Sequence, residues 1–125
     1  MARANNRLLI VDDNQVDRLK LMRILEADGY VVSVCEDGQG ALQLLRTQPF
    51  DAVLLDIDMP GMNGYELIAA IRADSALQTI PILAVSALEE ADVASKSKQA
   101  GADVYLTKDC SPETLKSSVA SCLSG

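Results

Sequence analysis

The sequence predicts an α/β fold, a doubly wound five-stranded parallel sheet with helices on both faces. Short apolar runs alternate along the chain with amphipathic stretches of helical period. The runs are near-continuous in Leu, Ile and Val, as in strands covered on both faces. The strand-helix alternation is strict over five units, which is the pattern of a parallel sheet wound by helical crossovers. With 125 residues, 49% of them hydrophobic, there is room for one well-filled core.

The first strand is expected at 8–12, where Leu8, Leu9, Ile10 and Val11 run into Asp12 and Asp13. A helix follows at 14–28. Asn14 is placed to cap it, Val16, Leu19, Met22 and Leu25 recur at helical spacing, and Gly29 stops it. A strand at 31–35 and a helix at 38–47 come next. The third strand, 51–55, carries Ala52-Val53-Leu54-Leu55 up to Asp56. The loop beyond it contains Asp58 and then Pro60, Gly61, Asn63 and Gly64, which shape the turn and the start of a helix at 64–72. The fourth strand, 81–85, ends at Ser86-Ala87, ahead of a helix at 89–100. That helix is poor in large apolar residues: Glu89, Glu90, Ser95, Lys96, Ser97 and Lys98 leave mainly alanines and Val93 to anchor it. The fifth strand, 103–106, ends at Thr107-Lys108-Asp109. The last helix, 112–123, opens Ser111-Pro112-Glu113, a cap, a first-turn proline and an acid at the positive end of the helix dipole. Residues 1–6 read as a short polar lead-in, and with no linker, internal repeat or low-complexity tract the expectation is a single domain over 1–125.

Composition removes several kinds of chemistry. The chain has no histidine, so it has no Ser-His-Asp or Cys-His catalysis, no His-ligated metal and no phosphohistidine of its own. Cys35, Cys110 and Cys122 are an odd, widely spaced set and read as free thiols. A formal net charge of -7 opposes direct grip on a nucleic-acid backbone. With neither a long apolar run nor a signal-peptide pattern, a soluble cytoplasmic protein is expected.

The acids at the strand ends carry the functional signal. Parallel strands lie side by side, so Asp12, Asp13 and Asp56 should converge at the carboxyl edge, where open sheets bind their ligands. Like charges so close raise one another's pKa unless a cation sits among them, and a hard divalent ion such as Mg²⁺ suits an all-oxygen site. Each residue also has a plainer reading. Aspartate at a strand end is often a helix cap or turn former, and Ser86 alone reads as a loop hydroxyl. Asp58 is expected to meet solvent beside the site, Asp103 and Asp109 read as surface charges, and Tyr105 reads as a half-buried sheet aromatic.

Taken in register, these segments make the chain similar to the receiver domain of two-component response regulators of the chemotaxis-regulator kind. The likeness runs over roughly residues 7 to 123. It is carried by the acidic pair, by Leu-Asp-Ile-Asp-Met-Pro-Gly-Met-Asn-Gly at 55–64, by Val-Ser-Ala at 85–87 and by Gly-Ala-Asp-Val-Tyr-Leu-Thr-Lys at 101–108. The resemblance implies strand order 2-1-3-4-5, a flavodoxin-like three-layer αβα sandwich. It implies that Asp56 accepts a phosphoryl group from the phosphohistidine of a histidine kinase or phosphotransfer protein. Mg²⁺ would be held by Asp13 and Asp56, by Asp12 mostly through water, and by the Asp58 backbone carbonyl. Lys108 and Ser86 would contact the phosphoryl oxygens, and Ser86 with Tyr105 would form the switch. The 89–123 face would then meet a second copy or an output partner. An ionised carboxylate needs no general base, so the lack of histidine is no handicap.

The chain departs from many receivers at Asp109, where they place proline in a cis peptide after the lysine; this leaves the position of Lys108 open. An alternative is a haloacid-dehalogenase-like phosphatase using Asp56 and Asp58. Against it, the pair lies on the third strand, Pro60 stands where Thr or Val is expected, and no segment is long enough for a substrate cap. A flavodoxin-like cofactor binder is disfavoured because Asp12-Asp13 repels phosphate and 3% aromatic content leaves little to stack on a flavin.

Overall fold

The computed structural model describes residues 6–59, 61–87 and 91–124, without the side chain of Ala91; the lead-in residues 1–5, Pro60, Glu89 and Glu90 lie outside this set. The elements are β1 (Arg7–Val11), α1 (Gln15–Ala27), β2 (Val31–Cys35), α2 (Gly38–Thr47), β3 (Ala52–Asp56), α3 (Gly64–Ala73), β4 (Ile82–Ser86), α4 (Ala91–Ala100), β5 (Val104–Thr107) and α5 (Pro112–Ser124). The strands form one parallel sheet in the order β2-β1-β3-β4-β5. β3 and β4 are buried along their whole length, as their unbroken apolar runs require. β2 lies at an edge, which is why Val31 and Val34 are the exposed members of its run.

Side-chain parity divides the core in two. Leu8, Ile10, Ala52, Leu54, Leu83, Val85 and Leu106 face α1 and α5, packing on Leu21, Leu25, Leu115 and Val119. Leu9, Val11, Val53, Leu55, Ile82 and Ala84 face α2, α3 and α4. The register Ile10↔Leu54 then places Asp12 and Asp56 on the α1/α5 side, each two residues further along. Ser86 and Tyr105 fall on the α2–α4 side by the same alternation.

Several expectations need correction. β1 ends at Val11 rather than at Asp12, and β3 takes in Asp56 as its last residue. Val16 is 74% exposed. The buried stripe of α1 runs through Leu21 and Leu25, and a residue five positions before Leu21 sits about 140° around the helix from it. Asp103 is an exposed charge, as expected, and it is also paired. Its carboxylate accepts from the Ile82 backbone N–H at 2.9 Å and from Arg72 at 3.0 Å. The same guanidinium donates to the carbonyls of Gly101, Gln78 and Ile80, tying α3 to the end of α4 and the start of β4. Ser97 is fully buried, its hydroxyl donating to the Val93 carbonyl at 2.7 Å, so it joins Val93 in anchoring α4.

The loop after β3 is shaped by its small residues. Asn63 caps α3, accepting from the Glu66 backbone N–H while Glu66 accepts from that of Asn63, a reciprocal capping box. Gly61 has φ 74°, a backbone conformation that favours glycine. At Gly64 a Cβ would stand 2.5 Å from the Ile57 Cα and 2.6 Å from the Asp56 carbonyl oxygen. The start of α3 can therefore close on the backbone of Asp56 because this residue has no side chain. Gly64→Ala should cost about 1–3 kcal/mol in urea denaturation, and an unchanged midpoint would mean that the loop yields freely.

Candidate functional site

The carboxyl edge of β1 and β3 gathers the acids. One carboxylate oxygen from each of Asp12, Asp13 and Asp56 lies within 4.8 Å of the others. Asp12 and Asp56 are buried, 1% and 3% exposed, whereas Asp13 faces solvent. Asp12 is fixed on both sides: its Oδ1 accepts from the Asn14 backbone N–H at 2.9 Å, and its carbonyl accepts from Arg18 at 2.8 Å. Asp56 Oδ1 accepts from the Asp58 N–H at 3.2 Å, while the Asp58 side chain is exposed, as expected.

Lys108, on the loop after β5, extends its ammonium into this group. Its Nζ stands 3.0 Å from Asp12, 2.8 Å from Asp17 and 3.4 Å from Asp56. The Lys108–Asp109 peptide is trans, and the Lys108 backbone N–H donates to the Ser86 carbonyl at 2.8 Å. Asp109 accepts from the Thr107 hydroxyl at 2.6 Å. Ser86 is fully buried at the end of β4, and Tyr105 is half-buried against the α2–α4 core. Asp17 is the member of the site that its sequence context hides. An acid three residues after the Asn14 cap reads as a dipole-complementing residue of the first turn. Its second role follows from parity, because α1 covers the sheet face onto which Asp12, Asp56 and Lys108 project.

Electrostatics make the cluster cation-seeking. Burial, then the charge of Asp12, raises Asp56 from the ordinary 3.8 to about 7; Lys108 and the Asp58 N–H pull the other way without winning. Full ionisation of Asp56 at neutral pH, expected for a carboxylate, thus depends on added positive charge. Burial disfavours the Lys108 ammonium, but hydrogen bonds to Asp17 and Asp12 and the charges of Asp56 and Asp12 outweigh it and raise its pKa. Three convergent carboxylate oxygens, two of them buried, fit a hard divalent ion. Cys35, Cys110 and Cys122 are free, and burial pushes each thiol upward, away from reactivity.

Fold and site together define a phosphoryl-accepting signalling switch. Residues 8–120 match the response regulator receiver domain, and the chain belongs to that family. Protein PilH of Pseudomonas aeruginosa is 35% identical over 119 residues, which is 95% of this chain and 98% of PilH. A response regulator structure from Chloroflexus aurantiacus superposes with a TM-score of 0.94 at 32% identity, covering 97% of this chain and 99% of that one. The receiver domain of a Pseudomonas aeruginosa sensor histidine kinase, with a magnesium ion coordinated in its active-site cleft, gives 0.90 at 28% identity, with coverage of 97% and 99%. The phosphatase alternative finds no support in this family match. Among the described residues no helix is long and apolar enough to cross a membrane.

The raised pKa of Asp56 has a signed consequence. Its stability contribution is fully present below the unfolded value of 3.8 and is lost as pH rises through about 7. In buffer free of divalent ions, Asp56→Asn should therefore be more stable than the parent at pH 8, by about 1–3 kcal/mol, with the gap closing toward pH 4. Urea denaturation across that range checks it. A gap independent of pH would remove Asp56 as its source.

Proposed function

We propose that this chain is a cytoplasmic receiver that takes a phosphoryl group onto Asp56 from a histidine kinase or a histidine-containing phosphotransfer protein. The observation that carries the reading is the placement of Asp56, with Asp12 and Asp13 within 4.8 Å and the Lys108 ammonium between the buried acids. The ligands proposed for Mg²⁺ are Asp12, Asp13, Asp56 and the Asp58 backbone carbonyl. When bound, the ion supplies the charge that keeps Asp56 ionised and neutralises phosphoryl oxygens.

In the transfer, a carboxylate oxygen of Asp56 forms a bond to phosphorus while the bond from phosphorus to the donor imidazole nitrogen breaks. The nitrogen keeps the electron pair of that bond. Lys108 donates to a phosphoryl oxygen, and the Ser86 hydroxyl donates to another. Moving Ser86 toward phosphate opens space on the α2–α4 face, and the Tyr105 ring, two residues back on the neighbouring strand, is placed to enter it. The altered surface, spanning α4, β5 and α5, is read by a partner, an attached domain or a second copy of the chain. Turnover is confined to the protein's own phosphorylation and dephosphorylation, and neither nucleic acid nor membrane is contacted directly.

Incubation with a small acyl phosphate and Mg²⁺ should add one phosphoryl group, labile to hydroxylamine, that peptide mass spectrometry maps to Asp56. Asp56→Asn should abolish the modification, and Asp13→Asn should remove its dependence on Mg²⁺ together with most of the rate. Phosphate mapped to a serine or threonine would refute the assignment.

A further inference from the structure

Lys108 has a partner that the transfer chemistry does not require. Its shortest contact, 2.8 Å, is to Asp17, and its longest, 3.4 Å, is to Asp56. Asp17 stands apart from the carboxylates that converge on the cation position, which are Asp12, Asp13 and Asp56. It is also held in place. Its backbone N–H donates to the Asn14 side chain at 3.0 Å, and the Asn14 N–H donates to Asp12, so the first turn of α1 is built onto the site.

We propose that Asp17 is a positioning residue that competes with the phosphoryl site for Lys108, holding the ammonium toward α1 in the unmodified protein. The inference rests on the phosphoacceptor reading of Asp56. A divalent ion among Asp12, Asp13 and Asp56 neutralises their charge and weakens their hold on Lys108, but it leaves Asp17 as it was. The ammonium is then shared between Asp17 and whatever anion is attached to Asp56. The Asp17 side chain is 33% exposed and that of Lys108 16%, so the pair is partly screened and its hold is modest. Asp17 accordingly tunes the switch without blocking it, and it makes the first turn of α1 sensitive to the state of Asp56.

The test is titration of the whole chain with beryllium fluoride in Mg²⁺, read by fluorine NMR of the bound species. Asp17→Asn should bind about two- to five-fold more tightly, the range a partly solvated ion pair supplies. Its bound fluorine resonances should also move, because Lys108 now donates fully to fluoride. Asp17→Glu, which keeps the carboxylate, should restore the parent behaviour. In a Lys108→Met background, Asp17→Asn should have no effect, which separates competition for the lysine from simple removal of a negative charge. Equal or weaker binding by Asp17→Asn overturns the proposal, as does a gain that survives without Lys108. Failure of the parent chain to bind beryllium fluoride would instead overturn the reading of Asp56 itself.

Discussion

The structure depends on one ammonium among too many carboxylates. Asp12, Asp13, Asp17 and Asp56 crowd the carboxyl edge of the sheet, and the Lys108 ammonium pairs with three of them. Burial strengthens the contacts of Lys108 with Asp12 and Asp56 and makes unbalanced charge there costly, while its pair with Asp17 is partly screened. The site is therefore held together and left electron-rich at the same time. That tension suits the proposed chemistry, in which a divalent ion and a phosphoryl group enter as opposite charges and redistribute a lysine that is already in place.

Strand parity sets the two halves of the proposed switch on opposite sides of the sheet. Asp12, Asp56 and Lys108 project on the α1/α5 side, while Ser86 and Tyr105 belong to the α2–α4 side. The two sides meet in the backbone, where the Lys108 N–H donates to the Ser86 carbonyl. On the far side, among its described side chains α4 buries Val93 and Ser97, whereas its C-terminal end is tied down through Arg72 and Gly101. A helix fixed at one end and thinly anchored along its length suits the proposed switch, because few buried contacts oppose its displacement.

Most of the fold was legible because the strand runs are unbroken and the turns carry strong punctuation. Asn14, Gly29, Asn63 and the Ser111-Pro112 pair mark their helix ends within a residue or so. The acid triad and Lys108 were legible because residues at the ends of parallel strands have nowhere else to go. What sequence could not show depends on pairings distant along the chain. Asp103 reads as surface, correctly, but its pairing with Arg72, 31 residues away, leaves no local trace. Asp17 and Lys108, 91 residues apart, meet through the packing of α1 on the sheet, and an acid in a first helical turn gives no hint of that. Val16 keeps the helical spacing and is still exposed, because periodicity gives spacing but does not fix which stripe faces the core.

In the proposed switch, charge placed on one side of the sheet edge is read out on the other. Amide hydrogen exchange with and without beryllium fluoride in Mg²⁺ tests it most directly. The largest change in protection is expected across residues 86–106, through the end of β4, α4 and β5. A change confined to α1 or α2, with 86–106 unaltered, would contradict the route from Lys108 through Ser86 to Tyr105.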